Sequence, residues 1–113
     1  MKNKELIFNV ALDETQELGL DKYHTKFLAN MVARKVRHPE EKIPVLAKKT
    51  MKKMPKIYPK KDLVQVSTEK CLDQLEIALN DSASVPEEWL SGQTVSHVVK
   101  KLASKVVDVL NEN

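Results

Sequence analysis

Apolar positions recur every three to four residues along most of the chain, a spacing that predicts helices rather than strands. Residues 3–18 place Leu6/Val10, Ile7/Ala11 and Phe8/Leu12 one turn apart, with Asp13, Glu14 and Glu17 as polar positions. Gly19 follows the last periodic residue, where a helix end favours glycine. Asp21 is a good N-cap for a second helix over 22–37, in which Tyr23, Phe27, Met31 and Leu28, Val32, Val36 form two adjacent rows. Arg34, Lys35 and Arg37 fall in its last turn, where cations suit the negative helix end, and His38-Pro39 ends it.

The third helix, with Pro44 in its first turn, is expected to run to about Met54. At about 100° per residue, Ile43, Leu46, Ala47, Thr50, Met51 and Met54 share one side. Lys48, Lys49, Lys52, Lys53 and Lys56 share the other, within an arc of roughly 140°. Pro55 to Pro59 reads as a rigid extended connector. Asp62 with Gln65 three residues on resembles a capping box and predicts a fourth helix over 63–80, with Val64, Thr68, Cys71, Leu72, Leu75, Ala78 and Leu79 inward. Ser84 is expected to cap a short turn over 86–90, which Gly92 stops. A last helix over 94–111 carries Val95, Val98, Val99, Leu102, Val106, Val109 and Leu110 on one side. The expected fold is all-α: a single compact bundle of about five helices plus one short helical turn, in one domain spanning residues 1–113.

Charge adds what periodicity leaves out. The net charge of +3 conceals a block structure, because residues 34–61 hold eleven Lys or Arg against two Glu, a net of +9, while both flanks are mildly acidic. The expected contact surface for an anionic partner is Arg34, Lys35, Arg37, Lys48, Lys49, Lys52, Lys53, Lys56, Lys60 and Lys61. The lysines alone could track a phosphate backbone and make binding steeply salt-dependent. Seventeen lysines against two arginines, and one aromatic, Tyr58, in the segment, argue for contact without sequence preference. The partner is expected to be nucleic acid, slightly ahead of an acidic protein surface. Self-association as a homodimer is a third reading. Stable membrane attachment is not expected, since the lysine side carries no Leu, Phe or Trp to insert.

Other chemistry finds little support. With only Gly19 and Gly92, phosphate-cradling glycine loops are excluded. Cys71 lies on an inward row and reads as core. His24, His38 and His97 form no zinc spacing, and Asp21-x-x-His24 is better read as a cap than as half of a metal site. Asp13 and Glu17, like Glu87-Glu88, read as solvated or paired carboxylates rather than an acid–base couple. Trp89 reads as a plug at the end of the core, with an anchor for a partner as the alternative. No catalytic residue, metal or cofactor is expected, and the protein is expected to be a non-enzymatic regulatory or adaptor module. No apolar run approaches the ~20 residues that span a bilayer. No secretory signal pattern opens the chain, and the lone cysteine allows no internal disulfide, so the cytoplasm is the expected compartment. In size, basicity and helical pattern the chain is similar to small bacteriocin-immunity proteins and to phage or mobile-element accessory proteins, a likeness of class that no motif carries.

Overall fold

The hydrophobic rows predict which faces meet, and the computed structural model, which describes residues 3–54 and 67–112, shows how. Most of the described residues lie in five α-helices: α1 (Lys4–Gln16), α2 (Lys22–Arg37), α3 (Ile43–Lys53), α4 (Thr68–Asp81) and α5 (Thr94–Glu112). A 3₁₀ turn, Glu87–Trp89, lies between α4 and α5. They form one compact helical bundle, with no strand among the described residues.

The two middle layers are α2 and α5. Phe27, Leu28, Met31 and Val32 of α2, and Val98, Val99, Leu102 and Val106 of α5, are almost fully enclosed. Helix α1 lies across both, α3 packs on α2, and α4 bridges α3 and α5. Leu46 of α3 and Leu75 and Leu79 of α4 complete the core. Each enclosed aliphatic side chain of this size stabilises the bundle by roughly 1.5–3 kcal/mol relative to exposure.

The helix ends follow the chain's own caps. Asn3 Oδ1 accepts from the N–H groups of Glu5 and Leu6, at 2.9 and 3.2 Å. Asp21 Oδ1 accepts from His24 N–H at 2.8 Å, as an N-cap carboxylate should. Gly19 adopts φ 71°, and a Cβ there would stand 3.2 Å from Ser84 Oγ. The α1–α2 corner therefore needs glycine both for its backbone and for its close approach to the 82–84 loop. Ser82 Oγ donates to the Leu18 carbonyl across the same junction.

Of the three apolar rows in α1, the fully buried one is Ile7–Ala11, continued by Thr15; Phe8, Val10 and Leu12 flank it, half-buried against the core, while Leu6 remains 47% exposed. Two expectations change. Helix α4 begins at Thr68, not at 63. Ser67 is extended, at φ −67° and ψ 158°, and its Oγ accepts from Lys70 N–H at 3.1 Å. A hydroxyl bonding the third amide of the helix ends it there. The proposed Asp62 cap, Val64 and the Pro55–Pro59 connector lie outside the described residues. Ser84 does not cap the short turn: its N–H donates to Ser82 Oγ at 3.2 Å, and the turn starts at Pro86, whose carbonyl accepts from Trp89 N–H at 2.9 Å.

Candidate nucleic-acid interface

The α2–α3 hairpin carries the basic surface, and its geometry starts at the helix break. His38 ends α2, with its N–H still donating to the Arg34 carbonyl at 2.8 Å. Pro39 then occupies the second position of a turn closed by Glu41 N–H donating to the His38 carbonyl at 3.0 Å. Lys42 follows as the extended N-cap of α3, and Pro44, which has no N–H to lose, sits inside the first helical turn. The turn brings Glu41 back beside the last turn of α2.

There Glu41 collects the nearest cations. Its carboxylate accepts from Arg34 Nε at 2.7 Å and from Arg34 Nη2 at 3.0 Å, a two-pronged contact. Lys49 Nζ of α3 reaches the same carboxylate at 3.3 Å, and Lys35 Nζ donates to the Glu41 carbonyl at 2.9 Å. The Arg34 hydrogen bonds, then those of Lys49, pull the Glu41 pKa down to about 2. The same contact raises that of Arg34. Arg34 and Glu41 are only 16% and 17% exposed, so this is a partly sheltered pair rather than a solvated one.

The other cations divide. Lys48 and Lys52 are exposed on the side of α3 opposite its core-facing residues, Lys53 is exposed at the edge of α3 that faces α2, beside Thr50, and no described carboxylate forms an ion pair with any of them. Arg37 lies half-buried where α2 meets α3, its Nε enclosed and without a hydrogen-bond partner among the described residues. Burial, then the positive charges of Arg37, Lys4 and Arg34, lower the pKa of Lys53. Lys4, at the start of α1, is thus among the charges felt by Lys53. A narrow cleft of about 10 Å³ between α2 and α3 is lined by Asn30, Arg34, Arg37, Lys49, Thr50 and Lys53.

The ten side chains singled out in the sequence are therefore not equivalent. The fold brings Arg34, Lys35 and Lys49 onto Glu41 and leaves Arg37, Lys48, Lys52 and Lys53 without a described carboxylate. Lys56, Lys60 and Lys61 lie outside the described residues. Glu41 was present in the sequence only as one of two acids diluting a basic run. Its signal is the short His38-Pro39 turn, which returns the chain beside the last turn of α2.

A larger open cleft of about 630 Å³ lies between the α2–α3 connection, α4 and the start of α5. Its walls carry Lys35, Lys42 and Lys100 but also Glu40, Asp73 and Glu76, so it offers no field of one sign. Glu76 has a local task there, accepting from Val95 N–H at the first turn of α5 at 3.2 Å.

The remaining candidates take structural positions. Cys71 is buried on the core side of α4. Trp89 is 7% exposed, with Lys105 Nζ 5.5 Å from its ring centre. His24 Nδ1 lies 2.8 Å from Asp21 Oδ2 within the α2 cap. Asp13 and Glu17 are exposed, and neither forms an ion pair with a described residue. Among the described residues no group of three or more His, Cys, Asp or Glu side chains is placed to hold a metal ion. None of the described helices is long and apolar enough to cross a membrane. No known family model matches the chain, and no curated protein or solved structure is significantly similar to it.

Proposed function

We propose that this protein is a binding module for nucleic acid, engaging the phosphate backbone through the outer side of α3 and the end of α2 without reading the bases. One observation carries this reading: Lys48 and Lys52 on the outer side of α3, and Lys53 at its α2 edge beside Arg37, are exposed with no described carboxylate paired to them. Lysine is a flexible point charge that contacts phosphates readily and discriminates bases poorly. The described aromatic residues Phe8, Tyr23, Phe27 and Trp89 are buried or half-buried, which supplies no stacking platform and favours duplex over single strands. The opposite side of α3 is committed to the core, so the helix offers one usable face.

The test is fluorescence anisotropy of labelled random-sequence duplex DNA at ~50 and ~200 mM salt. Four phosphate contacts lower affinity by about 10²-fold over that range, whatever the sequence of the duplex. Reversal of Lys48, Lys52 and Lys53 to Glu should abolish binding while leaving the helical spectrum intact. Absence of binding to any nucleic acid at low salt would sink the reading. The lysine side would then belong to an acidic protein surface, whose association is equally salt-sensitive.

A further inference from the structure

Most of the basic surface is spread along a helix, but at one place the charges converge. Arg37 Nε has essentially no contact with solvent and no acceptor among the described residues. An enclosed N–H of a guanidinium with no acceptor is costly, and a bound ion is one of the ways in which such a group is satisfied. Partial burial, then the positive charges of Arg37, Lys4 and Arg34, disfavour the ammonium form of Lys53, which lines the same cleft as Arg37. Of these four cations only Arg34 has a described carboxylate partner, and that carboxylate, on Glu41, is already shared with Lys49. The cleft thus gathers Arg34 and Arg37 of α2 and Lys49 and Lys53 of α3, with one acid, Glu41, to offset them. A single anion would relieve both the repulsion and the orphaned Nε–H.

The shape narrows the choice of anion. The cleft between Arg37, Lys53 and Thr50 has about 10 Å³ of space, close to one water molecule and far too little to enclose a whole oxyanion. One oxygen fits inside, and the rest of the group stays at the mouth, where Lys49 and Lys53 of the lining are exposed. A tetrahedral phosphate attached to a chain meets that description: one oxygen in, two ester links out.

We propose that Arg37 and Lys53 form a discrete seat for one phosphate group, the fixed point at which a nucleic-acid strand is held against the α2–α3 hairpin. This rests on the nucleic-acid reading above for its source of phosphate, though not for the seat itself. Lys48 and Lys52 then make interchangeable backbone contacts, whereas Arg37 makes a positioned one.

The experiment follows the Arg37 Nε–Hε resonance of the ¹⁵N-labelled full chain by NMR. Inorganic phosphate and a short duplex are titrated in separately, on the wild type and on Arg37→Lys and Lys53→Gln. Saturable movement of the wild-type Arg37 signal with inorganic phosphate is the expected result, with affinity weaker by about tenfold or more in Lys53→Gln by the same signal and in Arg37→Lys by the backbone amide signals of Thr50 and Lys53. Lys53 is exposed, so Lys53→Gln keeps the test valid should Arg37→Lys perturb folding; the amide spectrum reports that directly. An Arg37 signal unmoved by phosphate overturns the seat. Duplex binding equal in wild type and both variants also overturns it, while the wider nucleic-acid reading stands. Phosphate binding at Arg37 with no duplex binding upholds the seat and removes nucleic acid as the source, leaving a small phosphorylated ligand.

Discussion

Glu41 holds Arg34 with both carboxylate oxygens, at 2.7 and 3.0 Å, from the far side of the His38–Pro39 break. The pair joins the end of α2 to the turn before α3. It also withdraws positive charge from a surface whose remaining lysines face outward.

That withdrawal is measurable. Glu41→Gln keeps the shape of the side chain and removes its charge, releasing Arg34 and Lys49. Duplex binding at low salt should tighten, and the slope of log affinity against log salt should steepen by about 1.8, the value for two added phosphate contacts. The melting temperature should fall, because Arg34 is left partly sheltered without its partner. Unchanged affinity would place the binding surface away from this hairpin.

Acid should act through the same carboxylate. The Arg34 hydrogen bonds lower its pKa from 4.5 to about 2, so the folded state prefers Glu41 ionised. Its contribution to stability is complete above the unfolded value of 4.5 and disappears as pH falls toward about 2. Asp21 acts in the same direction: despite desolvation, which raises its pKa, hydrogen bonds from the backbone and ring of His24 hold it below its usual value. Urea midpoints measured from about pH 5 down to about pH 2 should decline in the wild type, and less in Glu41→Gln. Parallel curves for the two proteins would show that the pair does not stabilise the fold.

Thr15 supplies a contrasting case. It is fully buried in α1, and its hydroxyl lacks a hydrogen-bond partner among the described residues. Thr15→Val replaces that hydroxyl with a methyl group of similar shape. Removing an unpaired buried polar group should raise stability by about 1 kcal/mol, read as a higher urea midpoint at unchanged slope. A loss of stability would mean that the hydroxyl has an acceptor after all.

Ser67 decides where α4 begins. Ser67→Ala removes the acceptor for Lys70 N–H and should cost about 1 kcal/mol. Leu75→Ala, at a fully enclosed core position of the same helix, should cost about 2–5 kcal/mol through the cavity it leaves. The ratio of these two losses in thermal or urea unfolding separates a helix end from a helix core. Equal losses would contradict the assigned start.

Much of this bundle is legible in the order of residues, because helix faces depend on spacing within a few turns. Val98, Val99, Leu102 and Val106 repeat at helical period and prove to be buried together. The α3 pattern, with Leu46 and Ala47 inward and Lys48, Lys52 and Lys53 outward, also follows from about 100° per residue. Asp21 and Pro44 are caps and starters for reasons of local backbone chemistry. Local chemistry also offers competing solutions. Asp62 and Ser67 are both acceptable caps, and the extended backbone of Ser67 ends the helix there.

What spacing leaves undecided is the pairing of charges between elements. The sequence by itself determined an all-helical chain, its apolar faces and a basic helix surface, since each depends on neighbours within one or two turns. Tertiary structure alone decided that Ile7 and not Leu6 is buried, that Glu41 takes Arg34 and Lys49, and that Lys53 feels the charge of Lys4. Those outcomes depend on how helices dock. Coulomb energy and desolvation are set by separation and shelter in space, and residues far apart in the chain acquire both only when the bundle closes.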